Sequence, residues 1–471
     1  MFWSKPTPWL AALAALLSVP LLLLATSSGG PAGRTGAFGE LGCDGSGCHR
    51  SEPGGPGGGR VFIDVGPYIP GQLQRVRVTV FDAGARRWGF ELAAREARDP
   101  QRQAGTLAAA PDDPFVQVRC AGGTTPPCGG QLQYATHTSL GSRDNSPSRF
   151  SSYRVDWTPP PDNVGDVIFT AAGLGADGDR GTNGDHAYTA TMLSVYGPGN
   201  QPVLRDNGVV NAASFAAPDS AITQGSLVTL LGDKLSPPGF AREVTRVELP
   251  EGILPTELNR IGADVLVPGI DPVPAYVLAV SPRQMDIQVP ALRLGFNGFV
   301  EFQPVFNRGQ GANEIRGNKI SVHVQDIAPG LFTTDGKKVL VAETAATFSP
   351  PTLGRGGLFP TFRPLHSGDV ITIYGTGFGL TRPQIEPGRI GSDFAPLANQ
   401  INVRIGDRFL GPDEVLYAGA TPALAGIQQF TLRIPPGVGG GDLPIVFSVR
   451  GLESQPGVVL ATGKVYESWQ H

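Results

Sequence analysis

Glycine and proline are set so densely along this chain that long helices have almost nowhere to run. Of its 471 residues, 65 are Gly and 44 are Pro. Gly inside a helix forfeits backbone entropy and Pro lacks the amide donor, so such a chain suits short strands joined by tight turns. No Gly-X-Y period runs through it, and a 40% hydrophobic content is too high for wholesale disorder. A net charge of −4 offers no basic footprint for nucleic acid. The length fits roughly three domains.

Strand-like runs begin at Val61: VFIDV, QRVRVTVFDA, WGFELAAR, FVQVRC, QLQYATHT, SSYRVDWTP, DVIFTAAG and HAYTATMLSVYG. Val76, Val78 and Val80 alternate with polar residues, the pattern of a half-buried strand. Together these runs predict one β-sandwich over 61–200. Gly197 to Val210 reads as a linker into a new domain. Beyond it the chain repeats itself. ITQGSLVTLLGDKL (222–235) aligns with LHSGDVITIYGTGF (365–378), and QMDIQVP (284–290) with QFTLRIP (429–435), at nearly one offset. Two copies of one β-module are predicted, over 205–328 and 329–471. The paired glycines, Gly225 with Gly368 and Gly232 with Gly375, are expected at turns that need a positive φ.

At the N-terminus, Lys5 precedes the uncharged run Trp9 to Ala25, and Ala25 and Ser27 fit the small-residue positions of a cleavage site. Residues 1–27 read as a signal peptide; the alternative is an uncleaved anchor, the chain's one contact with a membrane. Either way the remainder is extracytoplasmic. Residues 28–60 are Gly-rich with almost no apolar periodicity, so this segment must drape over something or be held by a ligand.

There are four cysteines, an even number suited to disulfides in an exported chain. Cys120 and Cys128 flank a seven-residue loop between two strand-like runs and read as a local disulfide. Cys43 and Cys48 differ because His49 follows directly. Two thiols and an adjacent histidine are what covalent haem attachment uses, the thiols as thioethers and the histidine as axial ligand. The familiar spacing has two residues between the cysteines, and here there are four. A simple disulfide with an incidental histidine, or less readily a zinc site, stands beside haem c as a reading of these residues.

GRTGAFGELGCDGSGCHR (33–50) resembles the opening of the bacterial choice-of-anchor V proteins, whose Gly-Arg-Thr-Gly-Ala-Pro-Gly-Glu run leads into Cys-x-x-Cys-His. These are similar to the Reeler domain, an immunoglobulin-like sandwich. WGFELAAR, ATHT, VDWTPP, GDVIFTAAG and NGDHAYT succeed one another in the expected order, so the resemblance spans about 33–195. Phe38 stands where that family has proline, and the cysteine spacing departs from it. Residues 208–471 resemble an uncharacterised bacterial C-terminal domain similar to IPT/TIG immunoglobulin-like modules, through VVNAASF, SPRQMDIQVP, DIAPGLF and YGTGFG. The resemblances imply an all-β, multidomain string of immunoglobulin-like β-sandwiches, with haem c on the first.

A haem would leave a sixth iron position, for which His137 in the ATHT run is the candidate, with His186 and Met192 behind it. Asp177, Asp179, Asn183 and Asp185 cluster in GADGDRGTNGD and could offer oxygens to Ca²⁺, although no EF-hand spacing is present. GTGFG (375–379) has no helix pattern after it and reads as a turn. No hydrolase motif occurs, so the chain is not expected to be an enzyme. Two functions are therefore expected. One is an exported haem c electron carrier with a redox partner protein; the other is a surface adhesion or matrix protein with two disulfides. Association with neighbouring subunits, up to a homopolymer, is compatible with both.

Overall fold

The computed structural model describes residues 27–45, 49, 59–143, 148–179, 181–215, 221–245, 248–249, 251–292, 297–333, 341–343 and 365–462. The candidate signal segment up to residue 26 and Cys48 lie outside the described residues. Strands dominate, as the Gly and Pro content requires, and the fold is all-β. No helix among the described residues is long and apolar enough to cross a membrane. The chain divides into two compact units, the first from residues 1–63, 75–158 and 168–192, the second from 64–74, 159–167 and 193–471.

The first unit is built from β1 (Arg60–Asp64), β2 (Gln74–Phe81), β3 (Arg87–Glu96), β4 (Asp99–Gln103), β5 (Thr106–Ala109), β6 (Val116–Cys120), β7 (Gln133–His137), β8 (Phe150–Thr158), β9 (Val167–Ala176) and β10 (His186–Ser194). One sheet runs β1-β2-β8-β5 and the other β10-β9-β3-β7-β6, with β4 beside β3. Val76, Val78 and Val80 are fully buried, as their alternation predicts. The inner faces meet through aromatics. Phe90 stacks on Tyr153 at 4.3 Å, and Trp157 meets Phe169 edge-on at 4.8 Å. Their polar tips are satisfied: Trp157 Nε1 donates to Ala104 O (2.8 Å) and the Tyr153 hydroxyl to Trp88 O (2.9 Å). Each such side chain contributes on the order of 1.5–3 kcal/mol by leaving water. The Cys120–Cys128 disulfide is formed, with Cα atoms 5.3 Å apart.

Among the described residues the second unit contains four sheets. Strand Leu227–Asp233 pairs with Gln284–Gln288, and Val370–Thr376 with Gln428–Arg433. The register is the same in both copies, Leu230 opposite Met285 and Ile373 opposite Phe430. This explains the repeat: its two markers are neighbouring strands, so each constrains the other. Each copy has its own apolar interior, one including Val228, Ile287 and Phe302, the other Ile371, Phe430 and Phe447. A smaller cluster of Ala212, Leu227, Phe332, Tyr374 and Ile427 joins them. Three sequence markers meet here: Asn211 Nδ2 donates to Ala328 O (3.1 Å), and Ala328 N to Gly377 O (2.8 Å).

Two sequence readings are corrected. The supposed linker ends in strand Val203–Asn211, which pairs with Leu227–Asp233. Its turn-like residues Arg205 to Gly208 form a bulge, with Asn207 at φ +60°, so turn chemistry sits inside a strand. Of the repeated glycines, Gly225 and Gly368 have positive φ, at 76° and 87°. Gly232 and Gly375 instead lie within strands. A Cβ there would stand 2.2 Å from Val203 O and 2.6 Å from Gly330 O, so close backbone approach, not positive φ, demands glycine.

Candidate functional site

The strand WGFELAAR is buried on both faces, although its outer face carries Glu91 and Arg95. Pairing places Glu91 opposite Thr136, and Gln117 opposite Thr136 from the other side, while Arg119 lies opposite Tyr134. Directly opposed residues share a face, so β3, β7 and β6 present a continuous polar surface. Residues 27–45 cover it. The Ser142 hydroxyl donates to Ser27 O (2.7 Å), Gln117 Nε2 to Ser28 O (2.5 Å), and Arg119 to Ser28 O (2.8 Å) and Gly30 O (3.0 Å). The Gly-rich segment thus drapes over the sandwich through its own backbone carbonyls. It needs no apolar periodicity because side chains of the sandwich supply its hydrogen bonds.

Glu40 is the anchor of this strap. Its carboxylate pairs with Arg95 and accepts from the Tyr134 hydroxyl and the Thr35 hydroxyl, both at 2.5 Å. Burial opposes its charge, but the hydrogen bonds from Thr35, Tyr134 and Arg95 prevail and hold it below the ordinary carboxylate range. Burial pushes the Tyr134 phenol up. Glu91 behaves oppositely. Its Oε1 accepts from the Arg34 amide at 2.5 Å, but its Oε2 is buried with no partner. Burial raises it to about 8, and the neighbouring Glu40 charge adds to the effect. Phe38 adopts φ +53° with its ring 5.7 Å from the Arg95 guanidinium carbon. Proline holds φ near −65°, so the turn here is one the proline of the resembled family could not make.

At one end of this face the structure brings together several predicted residues. His49 Nδ1 lies 2.5 Å from Asp185 Oδ2, and Asp185 Oδ1 accepts from the Asp177 amide at 3.3 Å. His137 Nδ1 lies 3.1 Å from the Phe90 amide, and its ring would collide with a Cβ on Gly89, at 2.7 Å. Burial lowers His137 to about 4, with the charges of Arg119 and His49 adding to the effect, so the ring is neutral. His49 and His137 thus stand near enough to feel one another. His186 turns elsewhere: its Nδ1 lies 2.8 Å from buried Asp82 Oδ2, which also accepts from Tyr188 at 2.8 Å. Met192 is buried in β10, and Cys43 is half-buried. Asp177 and Asp179 Oδ1 accept from amides of their own loop, Asp179 N and Gly181 N. Among the described residues, no group of three or more His, Cys, Asp or Glu is gathered where a metal ion could be held.

No family model matches the chain, and no curated protein does. Similarity is found among solved structures. A crystal structure of the human F-spondin reeler domain is 20% identical over 29% of this chain and 87% of that one, with a TM-score of 0.19. The C-terminal domain of the Streptococcus agalactiae AgI/II polypeptide BspA is 10% identical over 57% of this chain and 99% of its own, at 0.15. A tetra-tandem repeat from the extending region of a large adhesion protein is 10% identical over 86% and 72%, also at 0.15.

The strap's docking is not legible in the sequence. The available signal is two charges, Glu91 and Arg95, inside an otherwise apolar strand, with a third, Glu40, at the end of the Gly-rich run.

Proposed function

We propose that this chain is an exported, non-enzymatic surface protein that engages partners or copies of itself through the outer faces of its sandwiches. One observation carries the reading. The interiors are closed by packed apolar side chains, while the polar groups with distinctive chemistry lie on an outer sheet face and at strand ends. Binding at such a protein is a surface event. The Cys120–Cys128 disulfide suits an oxidising compartment outside the cytoplasm. The test is labelling of intact producing cells with a membrane-impermeant biotin reagent. Labelling of the chain at the level of a known surface protein supports the reading. Labelling only after lysis overturns it.

Attached haem c is a second reading, favoured by the His49–Asp185 pair. A carboxylate on Nδ1 fixes the tautomer that leaves Nε2 to bind a metal. Cys43 and Cys48 would then carry the thioethers, His49 would be the axial ligand, and the group would supply one-electron transfer to a partner protein. The burial of His137 beside Gly89 speaks against it as the sixth ligand, since the ring would have to leave its packing to meet iron. Electron transfer therefore stands behind surface binding.

A further inference from the structure

The buried oxygen Oε2 of Glu91 lies directly beneath the strap, and no described residue hydrogen-bonds it. Its other oxygen is held by the strap itself, through the Arg34 amide. The Arg34 and Gly33 amides and Glu40 of the strap and Arg119 of β6 act on this carboxyl; Glu40 is met in turn by Arg95 of β3 and Tyr134 of β7, and His137 follows Thr136, the residue opposite Glu91. Glu40 is charged and committed to Arg95 and Tyr134, and Arg119 to the strap carbonyls of Ser28 and Gly30. None of them donates to Glu91 Oε2. A neutral carboxyl tolerates that position at the cost of one unmet hydrogen bond, whereas a carboxylate there is a buried charge without a partner.

We infer that residues 27–45 form a strap latched by the protonation of Glu91: docked when that carboxyl is neutral, and released as it ionises to bare the polar face of β3, β7 and β6. The device acts on the first unit alone. The direction comes from linkage. The docked state retains the proton up to about pH 8, whereas a solvated carboxyl loses it near 4.5. Between these values the released state binds fewer protons, so docking weakens as pH rises through that window and levels off above it.

Arg34 provides the readout, because trypsin cleaves after it and Thr35 is almost fully buried in the docked strap. The mature chain is digested between pH 6 and pH 9, and the cut at Arg34 is quantified by mass spectrometry. Each rate is divided by that of a free peptide of the same sequence. The normalised rate is expected to rise about fiftyfold from pH 6 to pH 8 and then to flatten. Glu91→Gln, isosteric and permanently neutral, should stay slow throughout. A flat wild-type profile, or a Glu91→Gln profile that tracks wild type, overturns the latch. Should the variant fail to fold, a carbon-13 titration of the wild-type Glu91 carboxyl decides the matter. A midpoint near 8 supports the latch, and one near 4.5 refutes it.

Discussion

Replacing Glu40 by alanine leaves Arg95, which is 1% exposed, without its carboxylate partner. Breaking a buried pair by removing one member costs roughly 3–5 kcal/mol, because the remaining charge stays desolvated. The Tyr134 hydroxyl also loses its acceptor, worth about 1 kcal/mol. A ceiling applies, since the strap can lift and let Arg95 reach water, so the loss cannot exceed the free energy that docks the strap. We therefore expect about 3 kcal/mol for Glu40→Ala in urea unfolding monitored by the fluorescence of buried Trp88 and Trp157. Arg95→Met removes the charge that makes the loss expensive. The double variant should recover at least about 1.5 kcal/mol relative to the sum of the singles. Additive effects, or a Glu40→Ala loss below about 0.5 kcal/mol, would mean that the strap is not anchored on this pair.

Three further sets of substitutions test other parts of the architecture. Replacing Cys120 and Cys128 by serine opens a loop of sequence separation 8 and should cost about 2.5 kcal/mol by loop entropy, seen as a lower Tm under non-reducing conditions only. Gly89→Ala puts a Cβ 2.7 Å from the His137 ring and should cost about 1–3 kcal/mol; adding His137→Ala should restore part of the loss, and no restoration would contradict the contact. Gly232→Ala and Gly375→Ala each press a methyl against a backbone carbonyl that cannot rotate away, so both should lower thermal stability more than Gly439→Ala, where nothing lies within 4 Å.

The sandwich of the first unit is readable because its strands alternate plainly; Val76, Val78 and Val80 are the clearest case. The repeat is readable because its markers pair in the same register in each copy, so two segments preserve each other's pattern. Val203–Asn211 escapes a sequence reading because a bulge places turn residues within a strand. The strap is half legible. Its lack of apolar periodicity rightly says that it cannot form a core alone. Its partners Arg95, Tyr134 and Glu91 lie 55, 94 and 57 residues away from the strap residues they meet, and no local pattern encodes contacts at such distances. Beyond the strap, the sequence singles out His49 for iron but places its carboxylate partner Asp185 in a calcium loop, since residue type alone does not reveal which group a side chain faces.

The reading of this chain as a surface-binding protein is tested most directly by the state of its N-terminal cysteines after export. The mature protein is purified from a host that exports it and carries haem-attachment machinery, and its intact mass and visible spectrum are recorded. The expected result is a colourless protein whose mass equals the polypeptide less two hydrogens for each disulfide, including Cys120–Cys128. A Soret band accompanied by the mass of one added haem would contradict it and make the His49–Asp185 pair the axial support of an electron carrier.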